Sequence, residues 1–188
     1  MAYGWEGELI RLVPLDKERH LDNATRWMND PEITKWLLVG DFPLMRVAEE
    51  EYFDARAKDQ DKDIAFAIET LEGEHIGFSG LHRINFRHGT AQSGTFIGLV
   101  DQWGKGYGTD AVKVRLKYFF EVLGLRMVTS GYLAGNDRSQ RMLAKAGYVE
   151  YGRLPNEFWK RGAYRDHVMM YIDRNMWAES IGVTRNQG

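Results

Sequence analysis

Cysteine is absent from the 188 residues. That excludes disulfides, thiolate metal sites and a cysteine nucleophile, and with the last a covalent acyl-enzyme on sulfur. No apolar run approaches the ~20 residues that a membrane-spanning helix needs. Charge of one sign is not in excess: 25 Lys and Arg stand against 27 Asp and Glu, for a net charge of −2. A balance of this kind gives no global basic field to draw the chain onto nucleic acid. Residues 1–6 (Met1-Ala2-Tyr3-Gly4-Trp5-Glu6) have neither a basic nor an apolar leader region, so no secretory signal is expected. Repeats and low-complexity linkers are missing as well. These absences leave a cytoplasmic protein as the expectation, with no nucleic-acid or membrane partner and no metal. The length suits a single domain over residues 1–188, large enough for a real core, with a frayed tail from about residue 180.

What is there centres on Gln102-Trp103-Gly104-Lys105-Gly106-Tyr107-Gly108-Thr109. Three glycines alternate with other residues, after an apolar run at 95–100 and before a helical pattern from Asp110. A loop of this kind lets successive N–H groups point at one anion, and the following helix adds its positive end. Glycine is required where a Cβ would block the phosphate or strain a positive φ. The pattern is not a Walker A loop, because no Ser or Thr directly follows Lys105. It is a poor Rossmann fingerprint too: the spacing is Gly-x-Gly-x-Gly, and residues 123–127 offer no acidic residue to close a strand. A pyrophosphate-bearing ligand is one reading; a glycine-rich turn with no ligand is the other.

A second signature lies about thirty residues on: Asn136-Asp137-Arg138-Ser139-Gln140-Arg141-Met142-Leu143-Ala144-Lys145-Ala146-Gly147-Tyr148. With both stretches in this order, the chain resembles the GNAT superfamily of acetyl-CoA-dependent N-acetyltransferases. The wording Trp103-Gly104-Lys105-Gly106-Tyr107-Gly108-Thr109-Asp110-Ala111 is most similar to the RimJ/RimL-like branch, which acetylates ribosomal-protein N-termini. The resemblance extends from about Glu8 to Trp177. It implies an α/β fold with a central, mostly antiparallel sheet of six to seven strands, splayed between strands 4 and 5 and flanked by about four helices.

Local patterns agree with that fold. Residues 8–13, 63–69, 75–84, 91–100, 127–132, 148–153 and 167–173 read as strands. Residues 16–29 read as a helix with Asp16 as N-cap, and Pro31 marks its boundary. Residues 46–58, 109–123 (ending at Gly124) and 139–146 (ending at Gly147) are further helices.

The resemblance also implies the site. Acetyl-CoA is the cosubstrate, and the residues expected to bind it are Ile97, Gly98, Leu99, Trp103, Gly104, Lys105, Gly106, Tyr107, Gly108, Thr109, Asn136 and Ser139. The loop amides face the pyrophosphate, while residues 97–99 pair with pantetheine amides at the splay. Trp103 stands where the family usually has Gln or Arg. Lys105 has an alternative as a solvated lysine, and Asn136 as a helix N-cap. Many family members place a Tyr seven residues after the Asn to protonate the thiolate; here that residue is Leu143. Ser139 is then the candidate catalytic residue, with backbone bonding in the first helical turn as its other use. The general base is not identified: His82 and Glu157 are candidates, and Gln92 sits where relatives often have Glu. Trp5, Trp36, Phe42, Trp103, Phe158 and Trp159 are candidates to shape a cavity for a primary amine, by cation–π contact. Core packing or a homodimer surface are the other uses of such residues. Two functions therefore stand: acetyl transfer to a primary amine, whether a protein N-terminus or a small amine, and a CoA-binding sensor or partner module without catalysis.

Overall fold

A computed structural model describes residues 5–58 and 61–182. β1 (Ile10–Pro14) leads into α1 (Lys17–Met28), α2 (Pro31–Thr34) and α3 (Arg46–Lys58). β2 (Ile64–Thr70), β3 (His75–Asn85) and β4 (Thr90–Ile97) form a meander. A 3₁₀ turn at Val100–Gln102 then opens into α4 (Tyr107–Lys117). β5 (Met127–Leu133), α5 (Asp137–Lys145), the long hairpin of β6 (Val149–Lys160) and β7 (Ala163–Asp173), and α6 (Arg174–Ser180) complete the order. The seven strands make one sheet in the order β1-β2-β3-β4-β5-β7-β6. Every pairing is antiparallel except β4 with β5.

The expected mixed sheet is present, with six α-helices rather than about four; the additions are the short α2 and the terminal α6. Asp16 caps α1, its carboxylate accepting the Arg19 N–H at 3.1 Å. The helix expected over 109–123 begins earlier, at Tyr107, and leaves α geometry at Tyr118–Val122, where a π turn carries it to Gly124 (φ 66°). The widened turn brings two consecutive aromatics, Phe119 and Phe120, into the core together, both fully buried and edge-to-face at 4.9 Å. The expected fraying from residue 180 falls mostly on residues 183–188, outside the described ones. So do Met1 to Gly4 of the leader reading. Among the described residues, no helix is long and apolar enough to cross a membrane.

The sheet is tight on one side of β4 and open on the other. β3 and β4 stay paired from Asn85↔Thr90 to Gly77↔Ile97. β4 and β5 pair only at Thr90↔Met127, Ala91↔Val128 and Gln92↔Thr129. Hydroxyl groups replace the ladder just beyond: Ser93 Oγ donates to Thr129 O at 3.1 Å, and Ser130 Oγ to Ser93 O at 3.1 Å. Tyr148, fully in the core, shares a 3.1 Å hydrogen bond with Ser93 and so props this junction. The next β4 carbonyl, that of Gly94, takes a partner from outside the sheet, Nη1 of Arg115 at 2.8 Å. Buried polar backbone needs partners, and these side chains supply them while the strands diverge.

Candidate active site

The divergence opens a cleft of about 890 Å³ that runs through the sheet. One lobe lies at the start of α4, the other against α1, α2 and α3.

Glycine geometry builds the first lobe. Gly104 (φ 80°) and Gly106 (φ 98°) occupy left-handed backbone, and Gly106 is the N-cap of α4. Gly108 lies against Met142 of α5: a Cβ there would fall 2.8 Å from its sulfur. The loop therefore exposes N–H groups at a helix start with no side chain in the way, which is the requirement for holding a phosphate. Of the residues expected here, Ile97, Trp103, Gly104, Gly106, Tyr107, Gly108, Thr109, Asn136 and Ser139 line the cleft. Gly98, Leu99 and Lys105 are not on its wall. The Gly98 N–H donates to Ile76 O at 2.8 Å, and Trp27 occupies the space a side chain there would need. Leu99 packs against the β1–β2 core, and its carbonyl accepts from Gln102 N at 3.0 Å. Lys105 is exposed, with its amine 3.0 Å from Gln102 Oε1. Trp103 staples the loop to β4, its indole N–H donating to Ile97 O at 2.8 Å beneath the Arg138 guanidinium 4.0 Å away. Arg141 and Lys145 add positive charge to the same wall.

Asn136 caps α5 by accepting the Ser139 N–H at 3.2 Å, which commits its Oδ1 and leaves its amide –NH₂ toward the cleft. The Ser139 hydroxyl has no hydrogen-bond partner among the described residues. Leu143 faces away from the cleft and sits 1% exposed in the core, so that helix position is a packing position here.

His82 stands where the lobes meet. Its Nδ1 donates to Asp63 Oδ1 at 3.2 Å, and Arg56 holds the other Asp63 oxygen at 2.6 Å. The ring spreads over the Gly80↔Gly94 pair, where side chains are missing; a Cβ on Gly80 would lie 3.2 Å from its Nε2. Burial lowers the His82 pKa below 6.5; Asp63 opposes this, and Arg56 and Arg115 add to it. The imidazole is thus neutral at pH 7, with Nε2 free to accept a proton. Glu157, the other candidate, is off the cleft and bound to His167 at 2.8 Å. Gln92 is on the wall opposite His82 in register.

Sequence reasoning missed Asp63, Arg56, Arg115 and Glu49. A signal existed for the first. Reflecting the β2–β3 hairpin about Glu72-Gly73 pairs Ile64 with Leu81, as observed, and so brings Asp63 beside His82. Arg115 had none: it reads as the polar face of α4, yet it is fully buried, and its Nε and Nη2 have no hydrogen-bond partner among the described residues. Of the six aromatics, only Trp36 and Trp103 line the cleft. Trp5 packs on Tyr118, Phe42 is 84% exposed, Phe158 lies against His167 and Trp159 against Tyr164.

The second lobe borrows its outer wall from residues 36–39, and the far hairpin holds that wall in place. Lys160, 2% exposed, donates to Val39 O at 3.1 Å and to both Asp41 oxygens at 2.7 and 2.8 Å. Arg161 adds a bond to Thr34 Oγ1 at 2.8 Å. Among the described residues, no group of three or more His, Asp or Glu is placed to hold a metal ion.

A glycine-rich helix start with the geometry to hold a phosphate, joined through an open sheet to an imidazole with a free nitrogen, suits a class: transferases that take an acyl group from a phosphate-bearing carrier. The profile described as Acetyltransferase (GNAT) domain matches residues 10–149, and the chain belongs to that family. It is an N-acetyltransferase with acetyl-CoA as acetyl donor. Spermidine N(1)-acetyltransferase of Escherichia coli K12 is 27% identical over 168 residues, covering 89% of this chain and 88% of the relative. Its Vibrio cholerae counterpart is 31% identical over 107 residues, a match covering 57% of this chain and 61% of that protein's length. YdaF of Bacillus subtilis, which carries a provisional ribosomal N-acetyltransferase name, is 26% identical over 171 residues, with 89% and 92% covered. In fold, the chain matches the Vibrio cholerae spermidine N-acetyltransferase solved with CoA and spermine at a TM-score of 0.82 and 24% identity, covering 89% of this chain and 97% of that one.

Proposed function

We propose that this chain acetylates a primary amine, a small amine or a protein N-terminus of the RimJ/RimL-like kind, by direct attack in a ternary complex, with His82 as proton acceptor. Residues 1–188 act as one catalytic unit in this reading. The observation that carries it is continuity: one cleft joins the glycine loop, the open strands and the Asp63-oriented imidazole. The loop N–H groups of residues 104–109 hold the pyrophosphate, and the Asn136 amide and the free edge of β4 hold the pantetheine arm. The ammonium first gives up a proton to water, and the neutral amine nitrogen then attacks the thioester carbonyl carbon. The N–C bond forms, the C–S bond breaks, and the nitrogen's proton passes to His82 Nε2. The sulfur leaves as thiolate and receives a proton through the Ser139 hydroxyl; a thiol pKa of about 8.5 makes that departure tolerable.

The test is His82→Gln. We expect kcat/KM to fall by about 10²–10⁴-fold with CoA affinity unchanged. The active form is neutral imidazole, so in the native enzyme activity declines as pH falls through the lowered His82 pKa, below 6.5. That acidic limb disappears in the variant. A variant with native kcat/KM at pH 7 removes His82 from the reaction.

A further inference from the structure

The second lobe is apolar and aromatic, lined by Met28, Trp36, Leu44, Phe53, Phe78 and Phe96. Among the described residues of the cleft wall, Glu49 is the single carboxylate. It is half-buried, burial raises its pKa, and it makes no ion pair among the described residues. Two of the aromatic faces that would hold a further cation are already covered by arginine. Arg56 lies 4.8 Å over the Tyr52 ring, and Arg165 lies 5.7 Å over Trp36. Asp63 is neutralised by Arg56 at 2.6 Å. Arg83 adds one more cation to the wall.

An aliphatic amine arrives at pH 7 as ammonium, its pKa being about 10. One carboxylate serves one ammonium. A second positive charge in this lobe would lie among aromatic rings and guanidinium groups with no counter-charge, and an unpaired charge is strongly disfavoured away from water. We infer that the acceptor is a primary amine on an apolar body with no second positive charge, an inference that rests on the acetyl-transfer reading above. Glu49 draws the ammonium into the lobe, the nitrogen moves on to the thioester once it has given up its proton, and the rings receive the body. This departs from the polyamine substrates in the names of the Escherichia coli and Vibrio cholerae relatives. Small arylalkylamines and peptides with an apolar first residue share the required chemistry.

Hexylamine and 1,6-diaminohexane give the sharpest test, since they share a chain and differ by one amino group. Calorimetry measures the binding of each to the CoA-loaded protein, and thiol release from acetyl-CoA measures turnover. Hexylamine should bind at least about tenfold more tightly, and should also show the higher kcat/KM. Glu49→Gln should raise the hexylamine KM by about tenfold while CoA affinity stays put. Tighter binding of 1,6-diaminohexane or spermidine overturns the inference, as does a Glu49→Gln enzyme with unaltered hexylamine KM. Preferred binding of hexylamine without thiol release from any amine supports the inferred ligand class and refutes acetyl transfer. Phenethylamine and a Met-Leu-initiated peptide, run in parallel, separate the small-molecule and peptide sources.

Discussion

The two lobes of the cleft are built by different means. The first lobe centres on one contiguous loop that presents backbone N–H groups, shaped by two left-handed glycines and a helix start. The acceptor lobe draws its wall from α1, α2, α3, the connection between α2 and α3, and the first three strands of the meander, and its working groups are side chains. Backbone recognition suits a ligand part common to many enzymes, because it is indifferent to side-chain identity. Side-chain recognition suits the part that differs. A substitution in one lobe should therefore leave the constants of the other alone.

Gly106→Val attacks the first lobe hardest. A branched residue at φ 98° is strained, and its Cβ would fall 3.2 Å from a Leu9 methyl at the loop. CoA affinity should drop on the order of a hundredfold by calorimetry, with the ranking of amines unchanged, since the phosphate's approach is blocked. A folded variant with native affinity would end the backbone-cradle account. Ser139→Ala sits at the junction. If the hydroxyl serves the departing thiolate, kcat should fall by about tenfold to a hundredfold with little change in CoA affinity, as for an interaction made in the transition state. Native kcat where chemistry limits turnover would remove Ser139 from the mechanism. Lys160→Met targets the second lobe from a distance. It keeps the length of the side chain but releases Asp41 and Val39, so the wall at residues 36–39 loses its anchor. The amine KM should rise by about threefold to tenfold, a loss comparable to one charge-assisted hydrogen bond, while CoA affinity holds. A parallel loss of CoA affinity would mean that the lobes are coupled.

The same division decides what could be read from the chain. The phosphate loop and the Asn136–Tyr148 stretch are contiguous, and backbone requirements write themselves as glycines at fixed spacing, so both were legible. So were seven strands and the caps at Asp16 and Gly124. The later half of β6 was not: it is mostly exposed, and Pro155 breaks its alternation, so residues 154–160 lacked the pattern of a half-buried strand. α2, four residues long, and α6, seven, are too short for a helical period to show. In the acceptor lobe, Asp63 and His82 are joined only by hairpin register, and Glu49 comes to the same cleft as His82 only through tertiary packing. The expected pantetheine contacts at Gly98 and Leu99 came from the family resemblance; the atoms nearby, Trp27 and Gln102, were invisible in one dimension.

Arg115 carries a consequence of another kind. Its guanidinium is wholly enclosed, bonded to Ser79, Thr95 and the Gly94 carbonyl, and it faces no carboxylate among the described residues. Replacing a buried ion pair by apolar residues is often neutral or stabilising, but this guanidinium is held by neutral oxygens, and an apolar residue in its place would leave two hydroxyls and the Gly94 carbonyl without that donor. Selection for heat tolerance would therefore tend to keep a donor at this position. A laboratory lineage selected for survival at high temperature would tend to keep the arginine, and with it the donor to the Gly94 carbonyl beside the open strands.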